Sequence, residues 1–126
     1  MKPSDLKIKK IKVTTINDYS INTLEIDLKH INYGLTSDGE YRKKKRSNYT
    51  VENIAEFFVS LDGVELEYDM DEEYDYFVIE KNYFIQSKKF RMVFCIERSK
   101  PTISGIITLF QLKGGSDGLP RQKSNS

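Results

Sequence analysis

The only histidine of the chain, His30, is the side chain most able to move a proton near neutral pH. A histidine imidazole in model peptides titrates at about pH 6.5, so this residue type can take up and release protons at cellular pH. Cleavage of an RNA strand by its own 2′-hydroxyl group needs one group that removes that proton and another that protonates the leaving oxygen. His30 could fill one of these two roles. The alternative is a histidine that is solvated or hydrogen-bonded at the end of a strand and takes no part in chemistry.

A run of five cationic side chains follows His30 and occupies residues Arg42 to Arg46. Five adjacent charges cannot all be buried, so the run must face solvent, where it can neutralise phosphate groups. Tyrosines that could stack on bases flank the run, namely Tyr33, Tyr41 and Tyr49. The alternatives are a solvated loop that only confers solubility and a loop that pairs with the acidic segment later in the chain. We favour nucleic acid as the partner.

Alternation along the expected strand Phe90–Arg98 places Arg91 on one face with Val93 and Cys95. An arginine among apolar neighbours is partly buried and needs an anion beside it. That anion could be an acid of the domain or a phosphate group of a substrate.

Thr108 lies in the next expected strand, on a face shared with Ile106 and Phe110. Its hydroxyl group could orient a phosphate, although threonine is common in strands for packing reasons alone. Lys88, in the turn before the arginine strand, could stabilise extra charge on a phosphorus centre. The alternative for Lys88 is an ordinary polar hairpin tip.

The acidic run from Asp69 to Asp75 spaces its carboxylates like those of a calcium-binding EF-hand loop. Such a loop requires glycine where this chain has Tyr74, and its flanks read as strands, so we reject an EF-hand. We expect a solvated β-turn, or secondarily a negative patch that binds a basic partner. One cysteine and one histidine cannot build a zinc site, and no cofactor is expected.

The elements that must position these residues are one helix and several strands. Residues Thr50–Leu61 predict a helix, because apolar residues recur at helical spacing and Thr50 can cap the first turn. A strand is expected from Leu24 to His30, although the same residues also fit a helix face. The other expected strands are 6–16 (a strand or an extended arm), 76–85, 90–98 and 105–112, of which the later ones imply an antiparallel meander.

Composition indicates one small domain. The chain has 126 residues and a formal net charge of +1, and its single cysteine excludes an internal disulfide. Neither a membrane span nor a signal peptide is expected. We predict an α+β domain over residues 1–112, with an N-terminal extended arm and helix followed by an antiparallel sheet of about four strands. Residues 113–126 are expected to form a disordered tail.

Two parts of the chain resemble the BECR superfamily of small metal-independent ribonucleases, which includes barnase, certain colicin nuclease domains and RelE-type toxins. Residues Leu24–Leu61 (LEIDLKHINYG…RKKKRSNYTVENIAEFFVSL) look like the part of these proteins that carries a histidine, a basic loop and a helix. Residues Phe90–Phe94 and Gly105–Phe110 look like their closing hairpin, in which an arginine strand precedes a threonine strand.

The resemblance implies an endoribonuclease toxin that cleaves RNA, with tRNA as the expected substrate, to 2′,3′-cyclic phosphate and 5′-hydroxyl ends. It implies that His30 transfers a proton, that Arg91 binds the scissile phosphate and that Thr108 orients it. The residues expected to contact the RNA are Arg42, Arg46 and Lys88.

Such a toxin would act in the cytoplasm, and it could be the C-terminal piece of a secreted effector used in bacterial competition. It would have a cognate immunity protein or antitoxin, expected to be acidic and to cover the cationic cleft. Two other functions stay open. One is a non-catalytic partner-binding module, such as an immunity protein that uses the acidic patch. The other is a nucleic-acid binder without catalysis.

Overall fold

The computed structural model describes residues 6–34, 36–82 and 88–112. Strands and helices follow one another along the chain as β1 (Leu6–Ile16), β2 (Tyr19–Asp27), α1 (Leu28–Tyr33), α2 (Val51–Val59), β3 (Tyr68–Met70), β4 (Tyr74–Asn82), β5 (Lys89–Glu97) and β6 (Ile103–Gln111).

The strands form one six-stranded mixed sheet in the order β1-β2-β6-β5-β4-β3. Of the described residues, 51% lie in strands and 15% in helices, so the predicted fold class is wrong. The prediction had one extended arm and one helix before an antiparallel sheet of about four strands. Instead, β2 runs parallel to β6, with Leu24 opposite Ser104 and Ile26 opposite Ile106. This parallel pair joins an N-terminal hairpin to the later strands.

The N-terminal segment is an integral strand rather than an arm. β1 pairs antiparallel with β2 through a two-residue turn at Asn17 and Asp18, in which Asn17 has a φ of 52°. Asparagine tolerates this left-handed conformation, and such turns favour a hairpin. Ile16 and Ile21, on either side of the turn, are fully buried. The hairpin therefore supplies core residues, which a free arm could not do.

The predicted strand through His30 is also wrong in its second half. β2 ends at Asp27, and the chain turns into the short helix α1. The Asp27 carboxylate caps this helix by accepting a hydrogen bond from the His30 N–H at 3.0 Å. The sequence of residues 24–31 fits both a strand and a helix, and the structure contains both. Leu24 and Ile26 are buried with the spacing of a strand, and Ile31 is buried as part of α1.

The helix predicted over Thr50–Leu61 is confirmed as α2. Thr50 Oγ1 accepts a hydrogen bond from the Asn53 N–H at 3.0 Å, and Asn53 Oδ1 accepts one from the Thr50 N–H at 3.1 Å. This reciprocal cap satisfies two backbone donors that a helix start leaves free. On the buried side of α2, the ring of Phe58 packs edge-on against Phe94 of β5 at 5.1 Å. We call the side of the sheet covered by α2 the helix face, and the opposite side the outer face.

The predicted antiparallel pairing of β4, β5 and β6 is confirmed. A register shift after Val93 places Thr108 opposite Val93 and Ile106 opposite Phe94. Thr108 therefore lies on the outer face, whereas Ile106 lies on the helix face, so the expectation that they share a face is wrong. The irregularity inserts Ile107, which simple alternation cannot anticipate. Residues 83–87 and the predicted tail, 113–126, lie outside the described residues.

Candidate functional site

The five cations of the basic run line one open depression on the surface. The depression has a volume of about 440 Å³, and Thr36 is its remaining lining residue. All five side chains from Arg42 to Arg46 are exposed. We call the segment 36–46 the basic loop. The depression is wide open to solvent, so a polyanionic ligand could reach several of these cations at once.

Backbone hydrogen bonds fix the basic loop to the end of α1. The Arg46 and Ser47 N–H groups both donate to the carbonyl of Asn32, at 2.8 and 3.1 Å. The Arg42 N–H donates to the carbonyl of Gly34 at 3.1 Å. Both ends of the cationic run are therefore attached to three consecutive residues of the chain, 32–34. The position of the basic loop therefore depends on the position of α1, to which it is hydrogen-bonded.

The buried side chain of Asn32 adds a second attachment. Its Nδ2 donates to the carbonyl of Tyr49 at 2.9 Å, and its Oδ1 accepts from the N–H of Tyr49 at 2.9 Å. Asn32 is only 4% exposed, so these bonds are shielded from water. The ring of Tyr49 packs edge-on against Phe90 at 6.2 Å. The returning end of the loop is thus tied both to α1 and to the core.

Arg46 lies directly against the backbone of Gly34. A Cβ atom at Gly34 would be 2.8 Å from Cζ of Arg46, which is closer than real contacts allow. Gly34 also has a φ of +77°, a conformation that glycine adopts without strain. The absence of a side chain at this position therefore lets the Arg46 guanidinium approach α1 closely.

The charges of the basic loop are not neutralised within the part of the chain that the structure describes. The ion pairs there join Lys89 and Arg91 to Glu80 and Arg98 to Asp75, and none involves the loop. Nearby, Lys29 Nζ sits 4.6 Å from the ring centroid of Tyr41, a cation–π contact that adds a further positive charge. The alternative in which this loop pairs with the acidic segment is not seen among these ion pairs.

His30 is connected to the basic loop through Gly34, which lies one helical turn further along the chain. Its carbonyl accepts a hydrogen bond from the Gly34 N–H at 2.8 Å, and Gly34 in turn accepts one from Arg42. The His30 side chain is half-buried, and its imidazole makes no hydrogen bond or ion pair with any described residue. His30, Arg42 and Arg46 are therefore brought into one neighbourhood by α1 and the residues that follow it.

Arg91 lies on the outer face with an acid of the domain as its partner. Its Nη1 is 3.1 Å from Oε2 of Glu80 on β4, and Lys89 Nζ is 3.9 Å from Oε1 of the same residue. The side chains of Arg91 and Glu80 are 40% and 39% exposed. An exposed pair of this kind contributes about 0–1 kcal/mol, so a stronger anion could displace Glu80.

Thr108 shares the outer face with Arg91, because Thr108 is opposite Val93 and Arg91 is opposite Phe110. Lys88 is exposed immediately before β5. Within the described ranges, no hydrogen bond or ion pair joins Arg91 or Thr108 to His30. Of the six predicted site residues, His30, Arg42 and Arg46 lie on or beside α1, and Lys88, Arg91 and Thr108 lie on or beside β5 and β6. The helix α1 itself packs beside β6.

The acidic segment forms the tight connection between β3 and β4. The Asp71 carboxylate accepts hydrogen bonds from the N–H groups of Tyr74 and Glu73, at 2.7 and 2.8 Å, and from the hydroxyl of Tyr76 at 2.9 Å. These backbone donors, Tyr74 first and then Glu73, lower the pKa of Asp71 below its usual value. The turn is shorter than the expected run from Asp69 to Asp75: it covers residues 71–73, because Asp69 lies in β3 and Asp75 lies in β4. Asp71 is an internal acceptor that holds this turn.

A second polar cluster, which no local sequence pattern indicates, lies at the other end of this turn. Asp75 is 5% exposed and accepts hydrogen bonds from Tyr19 Oη at 2.6 Å and from Arg98 Nη1 at 2.5 Å. Arg98 also donates to the backbone carbonyl of Asp71. Burial, together with the hydrogen bond to Asp75, raises the pKa of Tyr19 to about 12. This cluster fastens the turn to β2 and β5, and its neutral tyrosine serves a structural purpose.

Within residues 6–34, 36–82 and 88–112, no group of three or more His, Cys, Asp or Glu side chains could hold a metal ion. None of the helices found in those ranges has the length and apolar character needed to cross a membrane.

Comparison of the chain with protein-family models, with curated proteins and with solved structures returned no match.

Proposed function

We propose that this domain binds RNA through the basic loop and that His30 takes part in cleaving it. The observation that carries the proposal is the depression lined by Arg42 to Arg46, which has no acidic partner among the described residues and is attached to the helix of His30. A flexible polyanion can satisfy several of these cations at once, which an isolated small anion cannot do.

Binding of this kind has a characteristic strength and a characteristic salt dependence. Each phosphate of a single strand that a cation neutralises adds about −0.7 to the slope of log K against log salt. Five contacts would give a slope of about −3.5, which is a loss of about a hundredfold in affinity between about 50 and 200 mM salt. Stacking of bases on a flanking tyrosine such as Tyr33 would add a contribution that depends less on salt.

Cleavage would proceed by attack of the ribose 2′-oxygen on the adjacent phosphorus, with loss of the 5′-oxygen of the next nucleotide. The 2′-hydroxyl gives up one proton and the leaving oxygen gains one, so no other reactant is consumed. The imidazole of His30 can carry out one of the two transfers. Cations of the basic loop would stabilise the additional negative charge on the phosphorane. The resemblance to toxin ribonucleases supports this reaction, with tRNA as the first substrate to test.

A gel-shift experiment tests the binding step. Wild-type protein should retain single-stranded RNA at low salt, and the triple variant Lys43→Ala/Lys44→Ala/Lys45→Ala should lose most of that affinity. The matched control is Lys100→Ala, which removes an exposed lysine from the turn between β5 and β6. Equal losses in the triple variant and in the control would contradict a site at the basic loop.

A cleavage assay tests the chemical step. Purified protein is incubated with total tRNA in EDTA, beside His30→Ala, Arg91→Ala and Thr108→Val, and the ends of the fragments are analysed. Discrete fragments with cyclic-phosphate ends that disappear in His30→Ala would support catalysis. If RNA is bound but remains intact, the function of the domain is to bind RNA without cleaving it. Loss of activity in Arg91→Ala would indicate that the outer face of the sheet forms part of the catalytic site.

A further inference from the structure

The free edge of β1 is a second feature of the fold that can bind a partner. β1 is outermost on its side of the sheet, and within the described ranges no backbone hydrogen bond reaches residues 6–13 from outside β2. Every second residue of an edge strand directs its N–H and C=O groups away from the sheet, where another extended chain can pair with them. Regular pairing with β2 extends from Leu6 to Lys10 before the register shifts. This regular stretch is about as long as an average strand.

The chain already adds a short segment of its own to the other end of this edge. The Gly63 N–H donates to the carbonyl of Thr15 at 2.7 Å, and the Asn17 N–H donates to the carbonyl of Val64 at 3.1 Å. The carboxylate of Asp62 accepts a hydrogen bond from the Thr15 N–H at 2.7 Å. These bonds come from the turn that follows α2, and Val64 makes a single parallel bridge with Ile16. A carboxylate and backbone groups of the chain therefore already pair with this end of the edge. The described residues leave the same edge open nearer its N-terminus.

The lysines of residues 6–13 determine which kind of segment can pair with the open part of the β1 edge. Residues 6–13 contain four lysines and no acid. Lys7 and Lys9 are opposite buried residues of β2 and so belong to the helix face, whereas Ile8 belongs to the outer face and is 57% exposed. Like charges side by side disfavour the pairing of β1 with β1 of a second copy. Opposite charges and an apolar neighbour for Ile8 favour an acidic segment with alternating apolar residues.

We propose that this edge binds an extended segment of a partner protein in which acidic and apolar residues alternate. The segment adds a strand beside β1. Its acidic side chains lie next to Lys7 and Lys9, and an apolar side chain lies next to Ile8. The contact uses no residue of the basic loop, so it stands or falls separately from RNA binding.

The test uses a short fluorescent peptide in which glutamate alternates with valine. Two control peptides accompany it: one is methylated at alternate backbone nitrogens, which prevents strand pairing, and one carries lysine in place of glutamate. Anisotropy measures affinity for wild-type protein, for Lys7→Glu/Lys9→Glu and for the matched surface variant Lys100→Glu. Amide hydrogen exchange then locates the contact. Circular dichroism of the double variant checks that it remains folded.

Wild type should bind the acidic peptide, and exchange should slow in residues 6–10 of β1. The Lys7→Glu/Lys9→Glu variant should bind about tenfold more weakly or worse, and Lys100→Glu should bind like wild type. Failure of wild type to bind, equal binding of the methylated peptide, or protection outside β1 would each overturn the proposal. If the double variant loses RNA affinity while no peptide binds, the β1 lysines belong to an RNA-binding surface instead.

Discussion

Replacement of Gly34 by alanine tests how the basic loop is positioned. Gly34 has φ 77° and ψ 171°, a backbone conformation that is essentially restricted to glycine. Placing another residue there costs about 1–3 kcal/mol of backbone strain. The new Cβ would also lie 2.8 Å from Cζ of Arg46, so the guanidinium must move away from α1. The guanidinium is the exposed end of a flexible side chain and can move at little cost, so we expect Gly34→Ala to lower the free energy of unfolding by about 1–3 kcal/mol through backbone strain alone. RNA affinity should fall by about tenfold through the loss of one charged contact.

Gly39 provides a matched control in the same loop. It too has a left-handed backbone, with a φ of +82°, but a Cβ at this position would meet nothing within 4 Å. Gly39→Ala should therefore cost about 1–2 kcal/mol of strain and leave RNA affinity unchanged. Urea unfolding followed by circular dichroism measures the stabilities, and fluorescence anisotropy with labelled single-stranded RNA measures the affinities.

A double-mutant cycle with Arg46→Ala separates strain from displacement of the guanidinium. If Gly34 affects RNA binding only by letting the Arg46 guanidinium lie close to α1, Gly34→Ala should cause no further loss of RNA affinity in the Arg46→Ala background. The loss of stability should be the same in both backgrounds, because it comes from backbone strain at Gly34. An undiminished effect of Gly34→Ala on RNA affinity without Arg46, or an equal effect of Gly39→Ala on that affinity, would contradict this role of Gly34.

Three further substitutions test other contacts. Asn32→Ala should lower the free energy of unfolding by about 2–4 kcal/mol in urea titrations, because it leaves the buried N–H and carbonyl of Tyr49 without partners. Tyr19→Phe should make the free energy of unfolding less dependent on pH in the alkaline range. The raised pKa of about 12, against an ordinary value of 10.0, means that the contribution of Tyr19 is complete below pH 10 and is lost as pH rises towards 12. A wild-type stability curve that stays flat over that range would contradict this assignment. Arg91→Ala should change stability by less than about 1 kcal/mol in thermal unfolding, since Glu80 is an exposed partner; a larger loss would show a stronger structural role.

The helix α2 and the strands β4 to β6 could be predicted because their sequences carry a single consistent signal. Thr50 and the apolar spacing that follows it point to one capped helix, and the run from Phe90 to Glu97 alternates without interruption. The outer face of Arg91 was foreseen for the same reason. Its partner was not, because Glu80 comes beside Arg91 only through the register of β4 against β5, which depends on how the whole hairpin pairs.

The errors arose where two periods overlap or where long-range pairing decides the outcome. Residues 24–31 fit a strand and a helix equally well, and only the cap at Asp27 divides them. The parallel pairing of β2 with β6 joins residues that are far apart in the chain, so no local sequence pattern predicts it. The depression lined by the basic loop was foreseen as a cationic surface, but its attachment through Asn32 and Gly34 depends on contacts that the sequence does not display.

The salt dependence of RNA binding tests the central claim most directly. The slope of log K against log salt is measured for wild type and for Lys43→Ala/Lys44→Ala/Lys45→Ala with the same labelled single strand. If all five cations of the loop meet phosphates, the slope should be about −3.5 in wild type and about −1.4 in the variant. A wild-type slope near zero, or the same slope in both proteins, would contradict binding of RNA at the basic loop.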